Sequence, residues 1–172
     1  MHLLVRVPGA VLRAVVDSAR KRSVTVPGAR LKYHPFSDIP MREYIPVLVA
    51  ASCGIYPTLP VREALRKLGR GSRAAFQQSL IGRIVLANFT DLRQNLAVFG
   101  KALSIATPSA RVVVQDVGEG RAVVRLSNIY TFIDSHCIGI LEKVAGASKL
   151  HVESRVHLTS PYDGEIELTW LA

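Results

Sequence analysis

A histidine beside a cysteine, His136-Cys137, following Asp134-Ser135, is the pair in this chain that most invites chemistry. An imidazole can deprotonate a thiol, and both groups can ligate a metal. On a helix, however, consecutive residues point about 100° apart, so the expectation is one side chain at the rim and one in the core. His151, Glu153, Arg155 and His157 alternate with Val152, Ser154, Val156 and Leu158 and so share one face of a strand. A metal there needs a third ligand from elsewhere, and a solvated polar face is the favoured reading. Cys53 has no sequence neighbour that would lower its pKa. Arg62, Arg66 and Arg70 recur at every fourth position, a spacing that lines one helix face and suits a phosphate, a carboxylate or an acidic partner, although plain solvation competes. Phe76, Leu80 and Ile84, facing Leu96, Phe99 and Leu103, are the candidates for an apolar ligand pocket, with a filled core as the plainer alternative. No paired acid and base, nucleophile elbow, phosphate loop or metal motif occurs, so no enzyme, no metal site and no cofactor are expected.

The elements that must position these residues fall into two groups. Pro8 suits the first turn of a helix running to about Arg20, with Val11, Leu12, Val15 and Val16 on its apolar side. Residues 23–37 carry Pro27-Gly28 and Pro35 and read as a long surface connection. Ser37 or Asp38 caps a second helix with Pro40 in its first turn, ending at Cys53-Gly54, and Pro46 makes it either start later or kink. A short helix over Val61–Leu68 stops at Gly69, and Ser72 caps a fourth helix to Asn88. Thr90 caps a fifth, ending before Pro108. Strands at Arg111–Asp116 and Ala122–Leu126 flank the turn Gly118-Glu119-Gly120. A helix over Thr131–Val144 and strands at Leu150–Leu158 and Glu165–Leu171 complete the chain. The pattern predicts an α+β fold, an N-terminal helical layer packed on a C-terminal four-stranded antiparallel sheet with one covering helix. The period of two puts Ile166, Leu168 and Trp170 on the strand face that meets that helix.

At 172 residues the chain reads as a single domain, 1–172, large enough for an ordinary core. Two cysteines inside apolar helical patterns read as unpaired buried thiols of a reducing, cytoplasmic compartment. No apolar run approaches the roughly 20 residues that span a bilayer, and no membrane insertion is expected. The net charge of +9, from sixteen arginines and six lysines against 13 acids, admits nucleic acid, an anionic membrane or an acidic protein. Nucleic acid is not favoured, because no RNP-like aromatic pattern, zinc-finger spacing or recognition helix accompanies the charge.

Two short motifs carry a resemblance. Val61-Arg62-Glu63-Ala64-Leu65-Arg66-Lys67-Leu68-Gly69-Arg70 is similar to the short "I-W-R-x-V-G-R" helix of haem-nitric-oxide-binding (H-NOX) domains. Ile138-Gly139-Ile140-Leu141-Glu142-Lys143 is similar to the "L-G-L-I-E-G" of their sheet-covering helix. The order of elements resembles the same domains and their relatives, the four-vinyl-reductase and TRAPP-type domains. Pro40-Met41-Arg42-Glu43-Tyr44, Tyr56-Pro57, Phe132-Ile133-Asp134-Ser135 and Glu167-Leu168-Thr169-Trp170 resemble a paralogous bacterial family expanded in myxobacteria. H-NOX domains hold haem through a histidine on the helix before the first hairpin and meet the propionates with a Y-x-S-x-R motif at its exit. Here that helix reads Thr90-Asp91-Leu92-Arg93-Gln94-Asn95-Leu96-Ala97, and the exit reads Ser127-Asn128-Ile129-Tyr130-Thr131. The resemblance with these departures implies a haem-free, non-enzymatic relative, a signalling or scaffold module that senses a small apolar ligand or docks a protein. A basic adaptor for nucleic acid or an acidic protein is the alternative. A homodimer is left open.

Overall fold

The computed structural model describes residues 5–77 and 92–171, apart from 108, 119 and 149. Strand β1 (Arg6–Pro8) ends in a proline that leads directly into α1 (Gly9–Arg20). Strand β2 (Asp38–Pro40) repeats the device, its closing proline leading into α2 (Met41–Ile55). The two strands pair antiparallel, Val7 opposite Ile39, and form a small sheet that the sequence had not shown. The expected cap at Ser37 or Asp38 is therefore corrected: those residues precede or open β2, and α2 starts at Met41. It continues past Pro46, whose missing N–H leaves the carbonyl of solvent-exposed Arg42 without its helical partner, a cost that water can offset.

Helix α3 (Val61–Gln77) is one 17-residue helix, which corrects the expected break. Gly69 does not stop it, and Ser72 caps nothing: its hydroxyl donates to the Leu68 carbonyl one turn back, at 3.0 Å. Helix α4 (Leu92–Ala106) follows, then β3 (Arg111–Gly118) and β4 (Arg121–Ser127), paired as a hairpin with an irregularity between Gln115 and Gly118. A π-helical turn (Ile133–Cys137) opens α5 (Ile138–Ala145), and a 3₁₀ turn (Gly146–Ser148) closes it. Strands β5 (Val152–Leu158) and β6 (Gly164–Trp170) form the second hairpin. The sheet order is β3-β4-β6-β5, so the two hairpins join through β4 and β6, Val124 opposite Ile166. The architecture is the expected one: an α+β fold with a helical layer, a four-stranded antiparallel sheet and a covering helix.

Two apolar cores result. The first gathers α1, α2 and the front of α3 around Leu12, Tyr44, Leu48 and Leu65, with Val26 and Tyr33 tucked in from the connection between α1 and β2. The second lies between the inner sheet face and α4 and α5, around Leu96, Phe99, Val124, Leu141, Ile166 and Leu168. Ile166 and Leu168 are fully buried as the period of two requires, while Trp170 at the strand end is only half-buried against the same cluster.

Candidate functional site

The two cores meet where α3 crosses the π turn and α5, and the two glycines of the matching motifs make that crossing. A methyl group added at Gly69 would sit closer than 3.0 Å to the His136 carbonyl oxygen, and one added at Gly139 equally close to the Arg66 carbonyl oxygen. Backbone therefore runs against backbone, with no side chain between. Phe132, just before the π turn, takes a left-handed conformation (φ 59°), a backbone state that is uncommon for a bulky residue. A π turn carries one residue more per turn than an α-helix. Such insertions concentrate at functional sites.

His136 and Cys137 lie on this turn, and both are buried, which corrects the expectation of one at the rim. Cys137 shares a hydrogen bond with the Thr131 hydroxyl at 3.4 Å, and burial pushes its thiol pKa up to about 11, so no reactive thiolate forms near neutral pH. His136 is different. Both of its ring nitrogens are buried, and among the described residues neither has a hydrogen-bond partner. Desolvation lowers its pKa to about 4, keeping the ring neutral. Cys53 is half-buried on α2, and the two thiols are unpaired.

The arginine row holds anions, but they belong to the chain itself. Arg66 and Arg70 both bind Glu142 of α5, Arg70 through Nε at 2.8 Å, and the Ser154 hydroxyl of β5 donates to the same carboxylate at 3.1 Å. Arg62 pairs with Asp134 on the π turn at 3.2 Å. Within the chain the three arginines therefore serve as struts from α3 to the π turn and α5. Burial works to raise the Glu142 pKa, and the hydrogen bonds from Arg66 and Arg70 more than offset it, leaving it below the ordinary carboxylate range. That stabilisation is complete above the unfolded glutamate value of about 4.3 and is lost as pH falls through the lower folded value. Glu142→Gln is expected to lower stability by about 1–3 kcal/mol. Arg62→Gln breaks only an ion pair at the exposed end of the row and should change stability by at most about 1 kcal/mol. Equal urea midpoints for the two variants would remove Glu142 from this role.

Of the pocket candidates, Leu96 and Phe99 are buried within the second core and Leu103 packs half-buried against it. Leu80 and Ile84 lie outside the described residues, as does the side chain of Phe76. His151, Glu153, Arg155 and His157 are all exposed, and among the described residues no three His, Cys, Asp or Glu side chains converge as metal ligands. An open cleft of about 420 Å³ lies beside the π turn, between Arg62, Phe132 and Asp134 on one side and Leu158, Thr159 and Ser160 on the other. Its opposite wall is the β5–β6 turn, where Asp163 accepts hydrogen bonds from the Ser160 hydroxyl at 2.6 Å and the Asn128 amide at 3.0 Å. Sequence reasoning missed His136 as a buried orphan; the signal, a histidine leading into the apolar run Cys137-Ile138-Gly139-Ile140-Leu141, was visible without its meaning. Among the described residues no helix is long and apolar enough to cross a membrane.

No curated protein matches the sequence. Solved structures match over nearly the whole chain. The unliganded Fe(II) H-NOX protein from K. algicida superposes with a TM-score of 0.73 at 11% identity, covering 96% of this chain and 97% of that one. A point mutant of the T. tengcongensis H-NOX gives 0.69 at 14% identity, with 94% and 96% covered. An oxygen-binding H-NOX domain related to soluble guanylate cyclases gives 0.64 at 15% identity, with 94% and 92% covered. At these identities the likeness establishes the fold. Residues 7–170 match the family described as protein of unknown function (DUF2378), and the chain, with its H-NOX-like architecture, belongs to that family.

Proposed function

We propose that the domain is a non-enzymatic, haem-free sensing module, in which a small, largely apolar ligand with one polar group is held at the seam between the two cores and its presence is passed to a protein partner. The observation that carries this reading is His136. Buried polar groups in folded chains are almost always partnered, and an imidazole with two free nitrogens at a π turn asks for a hydrogen-bonding guest. Haem is a poor fit to the residues present. The buried face of α4 carries Leu92, Leu96 and Phe99, packed into the second core, and Asn95, which donates to the Ser148 hydroxyl, while the exit of β4 offers buried Ile129 and a Thr131 hydroxyl already bonded to Cys137. Neither an imidazole on α4 nor a cation at that exit is available. The adaptor alternative is supported less, because Arg62, Arg66 and Arg70 are engaged by Asp134 and Glu142.

The test is native mass spectrometry of the purified protein together with a hemin titration. A co-purified small molecule present in the wild type and lost from a folded His136→Leu variant is the expected result. A one-to-one Soret complex abolished by His136→Leu would replace the haem-free reading with a haem site. A ligand retained in full by that variant would move the site away from the seam.

A further inference from the structure

The connection between α1 and β2 is a strap laid antiparallel along α1. At one end the Arg20 guanidinium donates to the Leu31 carbonyl at 2.7 Å. At the other, the Gly9 and Ala10 amides donate to the carbonyls of Ser37 and Pro35, at 2.6 and 3.1 Å. Between them the Tyr33 ring is buried in the first core, its hydroxyl accepting from the Arg30 amide at 3.0 Å. The backbone is thus anchored at both ends and in the middle. Yet Leu31 is 90% exposed and Phe36 88% exposed, matched among the described residues by Leu171 alone and well above Val61 at 48%. Their exposure is built by the anchored backbone around them.

The surroundings are cationic. Residues 5–40 hold seven Lys and Arg against two Asp, and Arg20, which binds the Leu31 carbonyl, its chain neighbour Lys21, and Lys32 next to Leu31 are all exposed. We propose that the strap docks on an anionic bilayer surface, with Leu31 and Phe36 entering the boundary between headgroups and acyl chains and the basic side chains meeting lipid phosphates. Duplex nucleic acid would meet the cations with its phosphates and leave the leucine and phenylalanine in water. A protein interface concentrates its apolar residues in a contiguous, charge-depleted centre. Here exposed Lys32 and His34 separate the two apolar side chains, an interleaving of wedges and cations that suits the layered chemistry of a membrane interface. This is shallow docking by two side chains and requires no spanning segment.

The experiment is vesicle flotation of the full chain, at roughly physiological salt, where the screening length is about 8 Å. Neutral phosphatidylcholine vesicles are compared with vesicles containing about 30 mol% phosphatidylglycerol, a surface that attracts basic segments. The wild type is expected to float with the anionic vesicles and not with the neutral ones. Leu31→Ser/Phe36→Ser and Lys21→Gln/Lys32→Gln should each bind at least about tenfold more weakly, since stable docking takes both an apolar and an electrostatic contribution. Thermal midpoints should be unchanged, because all four side chains are exposed. Failure of the wild type to float overturns the proposal. So does undiminished binding by the Leu31→Ser/Phe36→Ser variant, which would mean simple adsorption of cations. Tighter binding to duplex DNA than to anionic vesicles, insensitive to that variant, would reassign the strap to a polyanion.

Discussion

Replacing Gly139 by alanine should cost the domain about 3 kcal/mol or more, the upper end of what overpacking a core does. The added methyl collides with the Arg66 carbonyl, which belongs to the backbone of a regular helix and cannot rotate away as a side chain would. Relief requires α3 and α5 to separate, and separation stretches the arginine struts to Glu142. Gly69→Ala meets the His136 carbonyl and should cost as much, and the double variant is expected not to fold. The control lies two residues along the same helix. A methyl at Gly71 meets nothing within 4 Å, so Gly71→Ala should stabilise the protein by about 0.5–1 kcal/mol through helix propensity alone. Opposite signs for Gly69→Ala and Gly71→Ala in urea unfolding are the expected outcome. A shared sign would mean the helices do not cross at the glycine pair.

The second large effect concerns pH. An unfolded histidine titrates near 6.5, whereas folded His136 does so at about 4, so below pH 6.5 the unfolded chain binds a proton that the folded chain refuses. Stability should therefore fall as pH drops from about 6.5 to 4, by about 3 kcal/mol in total, because each pH step between the two values is worth about 1.36 kcal/mol. Above 6.5 it should stay level with respect to this group. His136→Leu removes both the titration and two unpartnered buried nitrogens. With both proteins stripped of any bound ligand, it should be more stable than the wild type at pH 7, by about 1–3 kcal/mol, with a flatter profile between pH 6.5 and 4.5. Unfolding curves at several pH values decide it. A variant that is weaker at pH 7 and keeps the acid slope would show that the imidazole is partnered in solution. If the gain appears, the chain retains a destabilising residue at its seam, the trade expected of a binding group.

Much of the architecture was legible because it is written locally. The β3–β4 hairpin follows from valine-rich runs around Gly118 and Gly120, and the inward face of β6 from strict alternation of Ile166 and Leu168. Gly69 misled for a physical reason. A glycine after an amphipathic run looks like a helix stop, but here it marks a close approach to a carbonyl 67 positions away, which no local pattern encodes. Strands β1 and β2, three residues each, are too short to show a period of two. The π turn expands the helix without changing composition, and its left-handed forerunner is a phenylalanine, the last residue from which positive φ would be inferred. The spacing of Arg62, Arg66 and Arg70 was visible, while their partners Asp134 and Glu142 arrive from more than seventy residues downstream. The arginines and Glu142 lie in the two motifs quoted from the sequence, but their contacts are a product of those motifs meeting.

The outer face of the sheet is a chequerboard in which Glu167 binds Arg121, and Glu165 binds Arg125 with His157 opposite it in register. Such local cancellation leaves little field on that side. Among the described residues, those from 111 onward hold five Lys and Arg against seven acids, whereas those before it hold fifteen against four. Charge of opposite sign is thus segregated between the sheet layer and the helical layer, and the molecule carries an electric dipole moment along the line joining them. Within about 8 Å of a polyanionic surface, the screening length at physiological salt, that moment exerts a torque. The molecule would turn before it touches, helical layer leading and sheet facing outward, so that its orientation on arrival is set by long-range field and its final contacts only complete it.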